Sequence, residues 1–111
     1  MQPNTVVHAA TLALSHGPVP GGQTVDGAPT TATTAIGDFD GLEVGIWEMS
    51  TGAMRDIEVN EVFVVLSGSA TVEFADGSPA LRLGPGDVVR LDAGAETVWT
   101  VTETLRKVYL T

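Results

Sequence analysis

Across residues 42–110 the chain breaks into short apolar segments, each closed by turn chemistry, and none has the length or spacing of a helix. Leu42, Val44 and Ile46 alternate with glycine and charge before Trp47, and residues 70–74 (Ala-Thr-Val-Glu-Phe) have period two. Residues 61–66 are almost continuously apolar after Glu61, which predicts a strand buried on both faces. Asp76-Gly77 is a strong hairpin signal leading into residues 80–83. Gly84-Pro85-Gly86-Asp87 and Asp92-Ala93-Gly94 then punctuate strands expected at residues 88–91, 97–101 and 105–110. Strands this short and this regularly turned predict an all-β antiparallel barrel or jelly roll.

The N-terminal part differs. Residues 17–34 are dominated by Gly, Pro, Thr, Ala and Val, with Pro18, Pro20 and Pro29 as breakers. With Asp26 as their only charge, and with Val19 and Val25 present, they favour an extended segment docked as an edge strand over a free tail. Residues 6–15 are the one candidate for a short helix, although their alternation also fits a strand. The expected organisation is an N-terminal arm, residues 1–24, and a single domain, residues 25–111.

Five basic against fourteen acidic residues give a net charge of −9, which excludes the basic stripe that nucleic-acid binding needs and opposes anionic membranes. No apolar run is long enough to span a bilayer, and residues 1–17 lack the basic start of a secretory signal, so a cytoplasmic protein is expected. With no cysteine, the chain has neither a disulfide framework nor a thiolate site.

Two spacings bear on function. Glu61 is followed by six residues and Gly68; later, Gly86 and Gly94 frame Asp92, Thr97 and Val101. These positions resemble the two motifs of a cupin, with both glycines of the second motif present and its proline, histidine and asparagine places held by Asp92, Thr97 and Val101. The chain further resembles the small single-domain cupins related to the cupin domain of (S)-ureidoglycine aminohydrolase, within the RmlC-like cupin superfamily. That likeness rests on Gly45-Ile46-Trp47-Glu48, Asn60-Glu61, Gly84-Pro85-Gly86-Asp87, Trp99-Thr100-Val101-Thr102-Glu103 and Arg106-Lys107-Val108-Tyr109. It implies a cupin barrel that pairs as a homodimer.

The resemblance also assigns the places where a cupin holds its metal. The first-motif histidine places fall on Met54 and Asp56, or on Arg55 and Ile57. A divalent site needs three or more nitrogen or oxygen ligands. Asp56, Glu61 and Thr97 without imidazole do not supply them, so no metal or other cofactor is expected. The two histidines, His8 and His16, lie in the arm and read either as solvated or as a base folded over the barrel mouth.

Strand alternation puts Phe63 and Val65 with Glu61, and Trp99 and Val101 with Thr97. If the motif places face inward, Glu61, Phe63, Thr97 and Trp99 line one cavity, with Trp47 and Arg55 as further candidates for its wall. Glu61 there is either a catalytic acid or base, its pKa raised by burial, or a structural carboxylate paired with Arg55 at the rim. Arg106-Lys107 reads either as a holder for an anionic ligand or, as strand-end basic residues on an acidic protein, as balancing neighbours such as Glu103. Three functions follow: a metal-independent cupin that binds a small organic metabolite, a non-catalytic dimeric binding or sensor module, and a metal-dependent aminohydrolase-like enzyme.

Overall fold

The computed structural model describes residues 1–111 and contains nine strands and no helix. Two short strands, β1 (Gly17–Pro18) and β2 (Thr24–Asp26), precede β3 (Thr30–Phe39), β4 (Leu42–Met49) and β5 (Gly52–Ile57). The others are β6 (Glu61–Phe74), β7 (Leu81–Leu83), β8 (Val88–Leu91) and β9 (Glu96–Leu110). All pairings are antiparallel, and they resolve into two faces, ordered β1-β3-β4-β9-β6-β8 and β2-β5-β9-β6-β7. This is the all-β cupin-type barrel.

β6 and β9 belong to both faces. The first half of β6 pairs β8 and the last third of β9, while its second half pairs β7 and the start of β9. The bend falls where the β6–β9 register shifts, at residues 65–70. Gly68 sits there with φ +88°, and a Cβ on it would meet the backbone of Thr104 and Leu105. Only glycine allows the two backbones to cross so closely. The two pairs of strands expected at residues 61–66 with 70–74, and 97–101 with 105–110, are therefore two long bent strands.

Alternation along β6 buries Glu61, Phe63 and Val65 and leaves Val62 exposed. Burial on both faces, expected from the apolar run, is not what forms: only one side of β6 faces the core. Trp99, Phe63, Met49, Leu91, Leu105, Val65 and Val72 are essentially fully buried in that core. Each such side chain stabilises the fold by about 1.5–3 kcal/mol.

Residues 6–15 form no helix. A single turn closes with the amides of Thr11 and Leu12 donating to His8 O. One isolated turn does not offset the cost of helix nucleation. Downstream, β1 pairs β3 and β2 pairs β5 within the same chain. No helix is long and apolar enough to cross a membrane.

Candidate functional site

The register of β5 on β9 sets Met54 opposite Trp99 and Asp56 opposite Thr97. Met54, Thr97 and Trp99 are buried, and Asp56 is half-buried beside them. Arg55 and Ile57 point the other way and are exposed. Met54 and Asp56 are therefore the inward pair of the two alternatives for the histidine places. Arg55 leaves the proposed cavity wall; it lines an adjoining hollow of about 630 Å3 on the flank, with Gln23, Glu73, Phe74, Glu96 and Thr97, which meets the smaller cavity at Asp56 and Ile57.

Glu61 is buried and does not pair with Arg55. Its Oε1 lies 2.7 Å from Lys107 Nζ, and the Lys107 side chain is only 6% exposed. The reading of Lys107 as a strand-end charge balancing Glu103 is overturned: residues Leu105, Lys107 and Tyr109 all point inward, and Lys107 reaches along the barrel over Phe63. Its ammonium stands 4.2 Å from the Phe63 ring centroid, 4.7 Å from Trp47 and 4.9 Å from Trp99. Trp99 in turn packs at 5.4 Å from Trp47 and 5.8 Å from Phe63. A cation so enclosed is stabilised by its carboxylate and by the negative faces of the rings.

Above this floor opens a cavity of about 310 Å3, within the range of small-molecule sites. Trp47, Trp99, Glu61 and Lys107 form its base; Asp56, Glu58, Glu43 and Tyr109 stand around it. Glu58 is buried and accepts hydrogen bonds from Thr97 Oγ1 (2.8 Å) and Trp99 Nε1 (3.0 Å). Burial, then the neighbouring Glu58 charge, hold the Asp56 carboxyl above its ordinary range. Tyr109 donates its hydroxyl to Glu43 Oε2 at 2.7 Å, and burial raises its pKa. The smaller cavity is the better candidate because the buried ion pair and the aromatic wall both face it.

Glu61, Phe63, Thr97, Trp99 and Trp47 are thus brought together, though Phe63 and Thr97 support the cavity from behind. Glu58, Lys107, Glu43 and Tyr109 were not anticipated there. For Lys107 a signal existed: it is two residues from Tyr109 in a strand of period two.

The donors do not fit a divalent metal. No three His, Asp or Glu side chains converge, and the one carboxylate at the motif position already holds an ammonium. His8 and His16 are not at the mouth. His8 is exposed, whereas His16 bridges Glu48 Oε1 (2.7 Å) and Thr30 Oγ1 (2.8 Å) on the outer face. Arg106, turned outward, donates to Glu48 Oε2 (2.6 Å) and to the carbonyls of Ala9 and Leu12, so it straps the arm to the barrel. Burial alone would raise Glu48, but the bonds from Arg106 and His16 outweigh it and hold the carboxyl low.

Known proteins agree with this architecture. A Clostridium difficile EutQ structure superposes with TM-score 0.71 at 15% identity, over 96% of this chain and 84% of that one. A Pseudomonas syringae protein of unknown function, of the DUF861 family, gives TM-score 0.70 at 21% identity over 91% of this chain. This chain spans less than half, 45%, of that protein's length. A DUF861 protein from Thermotoga maritima is 31% identical over 58% of this chain and 73% of its own, with TM-score 0.54. No curated protein matches the chain. The family model for the EutQ-like cupin domain matches residues 37–109, from the end of β3 almost to the end of β9, and the chain belongs to that family.

Proposed function

We propose that this protein is a metal-independent cupin that binds a small organic metabolite at the barrel mouth. The observation that carries this reading is the cavity itself, an aromatic wall of Trp47 and Trp99 set over a buried ion pair. Glu43, Asp56 and Glu58 supply hydrogen-bond acceptors around it, while Lys107 is the single cation. The ligand that suits such a lining is small, neutral or cationic, and rich in N–H donors: an amide, an amine or a ureide. The likeness to ureidoglycine aminohydrolase cupins puts ureides first among these.

A second reading adds proton transfer. Asp56 favours it, because a carboxyl raised by burial and by a neighbouring carboxylate is suited to act as a general acid or base. Glu61, by contrast, already holds the Lys107 ammonium at 2.7 Å. A structure of DMSP lyases is among the fold neighbours, with TM-score 0.62 at 19% identity, so lyase chemistry belongs in the same screen.

Thermal-shift measurements against ureides, amides and amines test the binding reading. A ligand that raises the melting temperature of the wild type, and fails to do so for Trp47→Ala, is expected. If no such compound shifts the transition, or Trp47→Ala responds like the wild type, the mouth is not the binding site. Turnover abolished by Asp56→Asn with binding intact would establish the catalytic version.

A further inference from the structure

Lys107 is the chain's single lysine, and its surroundings resemble a receptor more than a surface salt bridge. The ammonium has three N–H donors. One faces Glu61 Oε1 at 2.7 Å, and the Phe63, Trp47 and Trp99 rings close around the nitrogen at 4.2, 4.7 and 4.9 Å. All three rings lie within the reach of cation–π attraction, roughly 6 Å from centroid to charge. The four groups come from three strands, β4, β6 and β9, so the cage is built by the barrel and not by Lys107 itself. Glu61, Phe63 and Trp99 are each at least nine-tenths buried.

We infer that Glu61, Trp47, Phe63 and Trp99 form a receptor for a primary ammonium group, and that Lys107 is its resident guest. One carboxylate selects for a cation that can donate a hydrogen bond, and the rings offset part of the hydration that the ammonium gives up. A quaternary ammonium lacks the donor, an alcohol lacks the charge, and a divalent ion finds a single oxygen ligand where it needs several. In this barrel the organic cation stands in place of an inorganic one. The inference does not depend on what enters the mouth above it, and it holds whether or not a metabolite binds there.

Lys107→Ala in the full chain removes the guest down to its β-carbon, and n-propylammonium restores the missing atoms. The variant should melt below the wild type and regain stability, saturably, on addition of n-propylammonium. Propanol, tetramethylammonium and manganese should give no such recovery, and a Lys107→Ala, Glu61→Gln variant should not respond to the amine. Equal rescue by propanol would mean that the cage is only an apolar hole; rescue by manganese would make the site a metal site. No rescue by any additive in a folded variant also overturns the inference. Should Lys107→Ala not fold, the wild type decides the matter. The ε-methylene protons of its one lysine should resonate upfield of an exposed lysine through ring currents, and its amine should resist acetylation that modifies the N-terminus. Random-coil shifts and ready acetylation would sink the idea.

Discussion

Lys107 and Glu61 meet at 2.7 Å although they are not cross-strand neighbours: Lys107 lies opposite Val65, and Glu61 pairs with Leu91 on the other side of β6. The lysine stem leans along the barrel interior over Phe63, and the Glu61 side chain reaches back to meet its charge. Both charges are therefore removed from water, and their attraction has to offset that desolvation.

Glu61→Gln leaves the Lys107 ammonium buried among three rings with no counter-charge. A loss of about 3–5 kcal/mol in denaturant unfolding is expected. Glu61→Gln combined with Lys107→Met should recover much of that loss, because neither member of an unpaired ion remains. A double variant as unstable as Glu61→Gln alone would argue that the pair is needed for shape and not for charge balance.

Glu58 ties Thr97 Oγ1 and Trp99 Nε1 to one carboxylate oxygen. In Glu58→Ala the buried Trp99 indole N–H loses its acceptor and Thr97 Oγ1 keeps only the Asp56 carbonyl at 3.5 Å, at a cost of about 1–3 kcal/mol for the unmet indole. Urea unfolding reads the loss, and the Trp99 emission should shift as its indole N–H is freed.

Two carboxyls give opposite pH signatures. Asp56 is raised above its ordinary 3.8, mainly by burial, so its contribution is full below that value and is lost as pH rises through the folded-state pKa. Asp56→Asn should thus be more stable than the wild type near neutrality, with the gap closing in acid. Glu48 is lowered below its ordinary 4.5, so its contribution is full above that value and is lost as pH falls through the folded-state pKa. Glu48→Gln should be the less stable protein near neutrality and approach the wild type in acid. Thermal unfolding of the three proteins from about pH 7 to about pH 3 checks both slopes.

Gly45 lies opposite Tyr109 in the β4–β9 ladder, and a Cβ there would enter the tyrosine ring. Gly45→Val should cost about 1–3 kcal/mol through overpacking, and it should displace the Tyr109 hydroxyl from Glu43. Tyr109→Phe alone should cost only about 0.5–1.5 kcal/mol, the net value of one hydrogen bond. Chemical denaturation of the pair separates crowding from hydrogen bonding.

Much of the barrel was legible because period-two alternation and turn residues are local signals. The Gly84-Pro85-Gly86-Asp87 turn closes as expected, Asp87 accepting from the Gly84 amide at 2.8 Å. Lys107 and Arg106 were misread for a non-local reason. Adjacent in sequence, they point to opposite faces of β9, one to a carboxylate inside the barrel and the other to Glu48 and the arm outside. Which face is interior follows from Phe63, Trp99 and Tyr109 together, not from the two basic residues. The same applies to Arg55, whose neighbour Asp56 takes the inward place. β5 went unread because Gly52-Ala53-Met54 carries little β-propensity and forms only between β2 and β9.

The sharing of β6 and β9 between both faces has a mechanical consequence. Glu61, Phe63, Trp99 and Lys107 all stand on these two strands, paired to one another over most of their length. The cage therefore has no hinge of its own: opening it by moving backbone means unzipping the pairing that holds the two faces together. What can move independently are the side chains at the rim; the backbone beneath them moves only with the barrel.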